Sequence, residues 1–165
     1  MTAELQGEDA FIGLGSNLGD RADELERALS EIAALPGTAL LACSSQYESA
    51  PLQAGGGDYL NAVARVRTTL APMALLHALQ AIEARHGRQR PFANAPRTLD
   101  LDLLLHGATA CASGELVLPH PRMHERAFVL VPLAQLAPGL EVPGRGPIEG
   151  LLGAVAGQQL AKLDR

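Results

Sequence analysis

The chain alternates short apolar runs with turn-forming clusters, and the apolar spacing changes from run to run. Residues 10–15, AFIGLG, read as a short buried strand, and GSNLGDR as a turn into a helix. Over about 20–35, Leu25, Leu29, Ile32 and Leu35 form one helical stripe, which Pro36-Gly37 stops. Residues 38–48 are predicted to be a strand ending near Tyr47, and Tyr59–Thr68 alternates as another. Between them, Ser49–Asp58 holds Pro51 and three consecutive glycines and reads as a flexible loop. Pro72 suits the first turn of a second helix with Leu75, Leu76, Leu79 and Ile82 as its core stripe and its C-cap near Gly87. A basic, proline-containing loop then leads to a strand at DLDLL. Residues 119–126 read as a turn, and AFVLVPLAQLAP as buried structure.

The order β-α-β-β-α-β predicts an α+β, ferredoxin-like sandwich with a mainly antiparallel sheet, helices on one face and additional C-terminal elements. A single domain over 1–165, with its core at about 10–140, accommodates it.

The stretch PRTLDLDLLL, residues 96–105, breaks the apolar pattern with two carboxylates. On a strand, Leu99, Leu101, Leu103 and Leu105 would line one face, and Thr98, Asp100, Asp102 and Leu104 the other. Two carboxylates side by side repel each other and suit a strand poorly. They do suit Mg²⁺, which takes oxygen ligands and binds through one or two carboxylates plus substrate phosphates. Alone, the pair reads more readily as facing solvent on a half-exposed strand. The adjoining loop changes the picture, because Arg85, Arg88, Arg90 and Arg97 fall close together there, and guanidinium forks match phosphate oxygens.

Composition narrows the partners. The 165 residues carry a net charge of −5, so the chain as a whole does not attract nucleic acid, and one basic loop on an acidic protein points to a small anion. No apolar run reaches the length of a membrane span, the N-terminus lacks a signal-peptide pattern, and two cysteines without metal-type spacing suit a reducing cytoplasm. Gly13, Gly15 and Gly19 fit neither a P-loop nor GxGxxG, so on sequence grounds they mark a tight turn. His120 and His124, four apart around Pro121 and Arg122, lack the third ligand that zinc requires. Residue types alone leave three readings open: a metal-assisted pyrophosphokinase, a γ-phosphate kinase, or a non-catalytic module binding nucleotide or RNA.

Five segments in register decide among them. PRTLDLDLL, LPHPRMHERAFVLVPL, GLGSNLGD, YESAP with DYLNAV, and QAIEARHGR together resemble the 6-hydroxymethyl-7,8-dihydropterin pyrophosphokinase family of the folate pathway over roughly residues 10–140. The resemblance implies transfer of pyrophosphate from ATP to the pterin hydroxymethyl group, releasing AMP. It implies that Asp100 and Asp102 hold two Mg²⁺ ions. Arg88, Arg90 and Arg97 would meet the triphosphate, with Arg88 and Arg97 catalytic alongside the two aspartates. His120 and Arg126 would complete the clamp, with Gln80 and Glu83 on the nucleotide side and Leu76 and Leu103 near the adenosine. Tyr59 and Phe128 would sandwich the pterin, Asn61 would bond its edge, and backbone at Gly15, Ser49, Ala50 and Leu52 would help. A cytoplasmic monomer is expected, with no nucleic-acid or membrane partner. This chain departs from the family pattern in two places. Gln53-Ala54 and three glycines follow Pro51-Leu52, and Asn94 stands where some members have tryptophan.

Overall fold

A computed structural model describes residues 7–16, 21–49, 59–86 and 99–163. In chain order the elements are β1 (Glu8–Ser16), α1 (Arg21–Ala33), β2 (Thr38–Cys43), β3 (Tyr47–Ser49), β4 (Tyr59–Thr68), α2 (Pro72–Arg85) and β5 (Asp100–His106). They are followed by β6 (Cys111–Ser113), β7 (Leu116–Leu118), α3 (Ala127–Leu136), β8 (Glu141–Val142), β9 (Gly146–Pro147), α4 (Glu149–Leu152) and β10 (Ala161–Lys162). The main sheet runs β10-β3-β4-β1-β5, with β2 also paired to β4, and all of its pairings are antiparallel. The chain is thus a mixed structure of helices on an antiparallel sheet. Among the described residues no helix is long and apolar enough to cross a membrane.

Strand alternation sorts the side chains onto two faces. Ala10, Ile12 and Leu14 of β1 join Leu60, Ala62, Ala64 and Val66 of β4 beneath α1 and α2, whose Leu25, Ile32, Leu75, Leu79 and Ile82 are fully buried. Phe11 and Val63 point the opposite way and pack with Leu130, Leu133 and Met123 under α3. Helices therefore cover both faces, because AFVLVPLAQL folds as a third helix rather than leaving that face open. Each fully buried leucine contributes about 2 kcal/mol, so both layers matter to stability.

Two departures from the expected pattern are informative. The predicted strand 38–48 is divided into β2 and β3. Between them Ser44 stays on β4 by exchanging bonds with Val63, its N–H donating to the Val63 carbonyl and its Oγ accepting the Val63 N–H, both at 2.9 Å. Next, Tyr47 Oη donates to Gln135 Oε1 at 2.6 Å and Gln135 Nε2 donates to Ser45 Oγ at 3.0 Å, tying the joint to α3. The second departure lies in β5. Phe11 pairs with Leu105 and Ile12 with Leu103, so Leu104 is an extra residue, a β-bulge. The expected alternation holds only through Leu103. Leu105 crosses to the α3 side and packs there with Leu104, which corrects the placement of Leu105 beside Leu99, Leu101 and Leu103.

The α1 helix ends at Ala33, and Gly37 makes the turn at φ +63°, where a Cβ would stand 2.0 Å from Thr69 Oγ1. At the other end of the layer His86 follows α2. Its buried ring lies between two α1 carboxylates, with Nδ1 2.7 Å from Glu24 Oε2 and Nε2 on Glu31 Oε2, which fixes α2 against α1. The predicted C-cap at Gly87 lies outside the described residues.

Candidate active site

The bulge determines where the carboxylates point. Before it, Asp100 and Asp102 share the α3-side face, opposite Gly15 and Gly13 of β1 respectively. On the far side of β1, Gly15 is paired with Asn61 and Gly13 with Val63. Two rows therefore cross the sheet, Asn61–Gly15–Asp100 and Val63–Gly13–Asp102. In both rows the central strand contributes no side chain, but Leu104 packs over Gly13, its Cδ atoms 3.6 Å from where a Cβ would stand, so the shallow trough lies in the Gly15 row, between the half-buried Asp100 and Asn61.

Gly15 is held to that residue type by close approach. A Cβ there would lie 3.3 Å from Asn61 Oδ1 and 3.7 Å from Tyr59 Cδ1. Asn61 is buried, and its Nδ2 donates to Ser49 Oγ at 2.7 Å, with longer contacts to the Tyr47 and Tyr59 carbonyls at 3.4 Å. Those bonds consume its donors and turn Oδ1 toward Gly15. Tyr59, opposite Ser49 in register, is half-buried beside it. Phe128 sits in the first turn of α3, with the Arg126 guanidinium 5.5 Å from its ring centroid, within cation–π range.

Behind β5, the buried carboxylate of Glu83 accepts the Leu101 N–H at 2.7 Å. Leu101 lies between the two aspartates, so Glu83 pins the strand that carries them. The sequence reading put Glu83 on the nucleotide side and missed this backbone bond. The available signal was its position four residues after Leu79, on the core stripe of α2. His120 follows the cis Leu118–Pro119 bond, and its N–H donates to the Leu104 carbonyl of the bulge at 2.9 Å. Burial pushes its imidazole below the usual histidine range. The Asp102 charge opposes that shift, and Arg126 and Arg122 add to it. Nδ1 accepts the Arg122 N–H at 3.2 Å, so in the neutral ring the proton sits on Nε2. Leu103 is buried and Leu76 half-buried in the α1/α2 layer, and Gln80 is half-buried on α2.

The structure thus brings Asp100, Asp102, Gly15, Asn61, Ser49 and Tyr59 to one sheet face and links His120 to the same strand as the aspartates. Arg88, Arg90, Arg97, Ala50, Leu52, Gln53 and Asn94 lie outside the described residues. Among the described residues no group of three or more metal-binding side chains gathers. The carboxylate pair would therefore supply two ligands, leaving room for phosphate oxygens and water, as Mg²⁺ prefers.

Paired carboxylates on the sheet face that also carries Asn61 and Tyr59 suit the class of phosphoryl-transfer enzymes. Comparison with known proteins makes it particular. The chain belongs to the 7,8-dihydro-6-hydroxymethylpterin-pyrophosphokinase (HPPK) family, whose model matches residues 11–138, and it is a pyrophosphokinase of the transferase class. The 2-amino-4-hydroxy-6-hydroxymethyldihydropteridine pyrophosphokinase of Pseudomonas aeruginosa is 44% identical over 156 residues, covering 93% of this chain and 95% of the relative. That of Haemophilus influenzae is 42% identical over 156 residues, covering 94% and 98%. Among solved structures, wild-type Plasmodium falciparum HPPK-DHPS superposes with a TM-score of 0.73 at 13% identity, a likeness of fold. The match covers 90% of this chain and 44% of that one, so this chain spans less than half the length of the Plasmodium protein.

Proposed function

We propose a division of labour among these residues for the reaction that defines the family, transfer of pyrophosphate from ATP to the hydroxymethyl group of 6-hydroxymethyl-7,8-dihydropterin in folate biosynthesis. The observation that carries it is the register of β5 on β1, which sets Asp100 and Asp102 side by side on one sheet face, opposite Gly15 and Gly13.

The pterin lies in the trough on the Asn61 side. Asn61 Oδ1 accepts from the ring edge, because its amide donors are already spent on Ser49 and neighbouring carbonyls. Tyr59 and Phe128 stack on the ring's two faces, a use that suits aromatic planes. Backbone at Gly15, Ser49, Ala50 and Leu52 completes the edge contacts, and a site that satisfies the heterocycle's donors and acceptors rejects analogues lacking them. The ATP phosphates lie at Asp100 and Asp102, and the adenosine reaches round β5, the edge of the sheet, toward Leu76, Leu103, Gln80 and Glu83 on the α2 side. Arg88, Arg90 and Arg97 meet the triphosphate, and His120 Nε2–H and Arg126 donate to phosphate oxygens.

Asp100 and Asp102 would hold two Mg²⁺ ions, and the chemistry these would supply is neutralisation of charge on the phosphates. The rest is positioning. The fixed β5 backbone orients both carboxylates, the aromatic pair presents the hydroxymethyl oxygen to the β-phosphorus, and the cationic groups answer the charge on the departing AMP. The fold supporting this is the ferredoxin-like sandwich, since the strand order β5-β1-β4 followed by β2 and β3 agrees with that arrangement. We infer one domain over 1–165, acting as a monomer in the cytoplasm, where the free thiols of Cys43 and Cys111 stay reduced.

Product analysis tests the reading. With ATP, Mg²⁺ and the pterin present, chromatography is expected to find AMP, and to find none when either pterin or Mg²⁺ is omitted. ADP in its place would mean a γ-phosphate kinase.

A further inference from the structure

The described chain continues past residue 138, where the family match ends, and this last stretch bonds both the start of α3 and strand β3. After α4 and one 3₁₀ turn (Gly153–Val155) it reaches Gln158. Gln158 Oε1 accepts the Ala127 N–H at 2.9 Å, and Gln158 Nε2 donates to the Glu125 carbonyl at 2.8 Å. The two peptide groups it grips stand on either side of Arg126. A few residues later Ala161 pairs with Glu48 and Lys162 with Tyr47, and the Leu163 N–H donates to the Gln46 carbonyl at 2.8 Å. One short segment therefore spans from the start of α3 to β3, whose Ser49 bonds Asn61.

The start of α3 depends on that grip. Arg126, the N-cap residue, forms no side-chain cap of its own, and the first N–H groups of a helix have no partner within it. Ala127 is only 3% exposed, so water has little access to the N–H that Gln158 satisfies. The backbone held here also directs the Arg126 guanidinium and, two residues on, the Phe128 ring beneath it.

We propose that Gln158 is a positioning residue for the pterin: by fixing the peptide groups flanking Arg126, it sets the angle at which Phe128 meets the ring. The proposal rests on the reading of Phe128 as a wall of the pterin pocket. Gln158 touches neither substrate and acts through the α3 backbone alone.

The test uses the full chain with Gln158→Ala, Gln158→Glu and, as a control, Phe128→Ala. Each is titrated calorimetrically with the pterin in Mg²⁺ and α,β-methylene-ATP, whose bridging carbon blocks transfer, and separately with the nucleotide analogue alone. Gln158→Ala, which removes both hydrogen bonds, is expected to weaken pterin binding roughly three- to tenfold, while nucleotide affinity, to which Arg126 is only one of several contributors, falls clearly less. Gln158→Glu keeps an acceptor for Ala127 and should recover part of the loss. Pterin affinity within about twofold of the parent in Gln158→Ala, or an equal loss for the nucleotide, would overturn the proposal. Weakened binding in Phe128→Ala with none in Gln158→Ala would remove Gln158 alone. Parent-like binding in Phe128→Ala would remove the pocket assignment and the proposal with it.

Discussion

The two ends of β1 treat carboxylates on the same sheet face in opposite ways. At one end Asp9 is answered from β4, with Arg65 Nε and Arg67 Nη1 each donating to it at 2.9 Å while Arg65 also lies over the Phe11 ring. At the other end Asp100 and Asp102 look across β1 at Gly15 and Gly13. Asp9 has protein cations in its neighbouring strand, and the chain satisfies its charge internally. Opposite Asp100 and Asp102 the chain leaves out the side chain. A carboxylate bonded to neighbouring arginines contributes to stability, whereas the pair that faces glycines is the one the proposed function assigns to metal.

Substitutions at the open end should affect turnover, and those at the closed end should affect the fold. The largest effect is expected from Asp102→Ala, or equally Asp100→Ala. AMP formation at saturating Mg²⁺ should fall on the order of a hundredfold or more, the scale of removing one charge-stabilising group, with melting temperature nearly unchanged. Near-parent turnover in either variant would erase the contrast. Phe128→Ala comes next, with pterin affinity down about tenfold from lost stacking and buried area.

A smaller effect separates the two glycines. Gly15→Ala places a methyl 3.3 Å from Asn61 Oδ1 and should weaken the pterin several-fold, whereas Gly13→Ala makes ordinary contact with Leu104 at 3.6 Å and should leave pterin affinity intact. Equal behaviour of the two would mean that Asn61 is not at the ring edge. The smallest effect belongs to the closed end. Burial alone would raise the Asp9 carboxyl, but hydrogen bonds from Arg67 and Arg65 and their charges outweigh it and hold the group below 3.8. Its contribution is therefore fully present above pH 3.8 and is lost as pH falls through the lowered value. Asp9→Asn should cost about 1 kcal/mol at neutral pH, after allowing for partial exposure of the pair, and should flatten the acid limb of a denaturation series without changing turnover.

How much was visible beforehand varies with the kind of signal. β4 was legible at Tyr59–Thr68, and α2 from Pro72 onward, because alternation and a clean stripe are local patterns. The carboxylate face was legible for the same reason up to Leu103. The bulge was not, because an extra residue in a run of leucines changes no local spacing and shows only in the register against Phe11 and Ile12. The division of 38–48 was hidden similarly, since Ser44 holds its partner with a side-chain hydroxyl where the strand geometry lapses. Of the site, the aspartates and aromatics could be named from motif positions. The role of Gly13 opposite Asp102 and the bond from Glu83 to Leu101 are properties of pairing and packing, which a one-dimensional pattern does not carry.

The extra residue at Leu104 also bears on how such a chain can vary by descent. In an unbroken strand, a one-residue insertion or deletion inverts every side chain beyond it, so a change near the hydrophobic end would swing the two aspartates into the core. With a joint between the halves, a length change can be absorbed at the joint. The leucine-rich half facing α3 can then change in length while the half that carries the carboxylates keeps its alignment on β1.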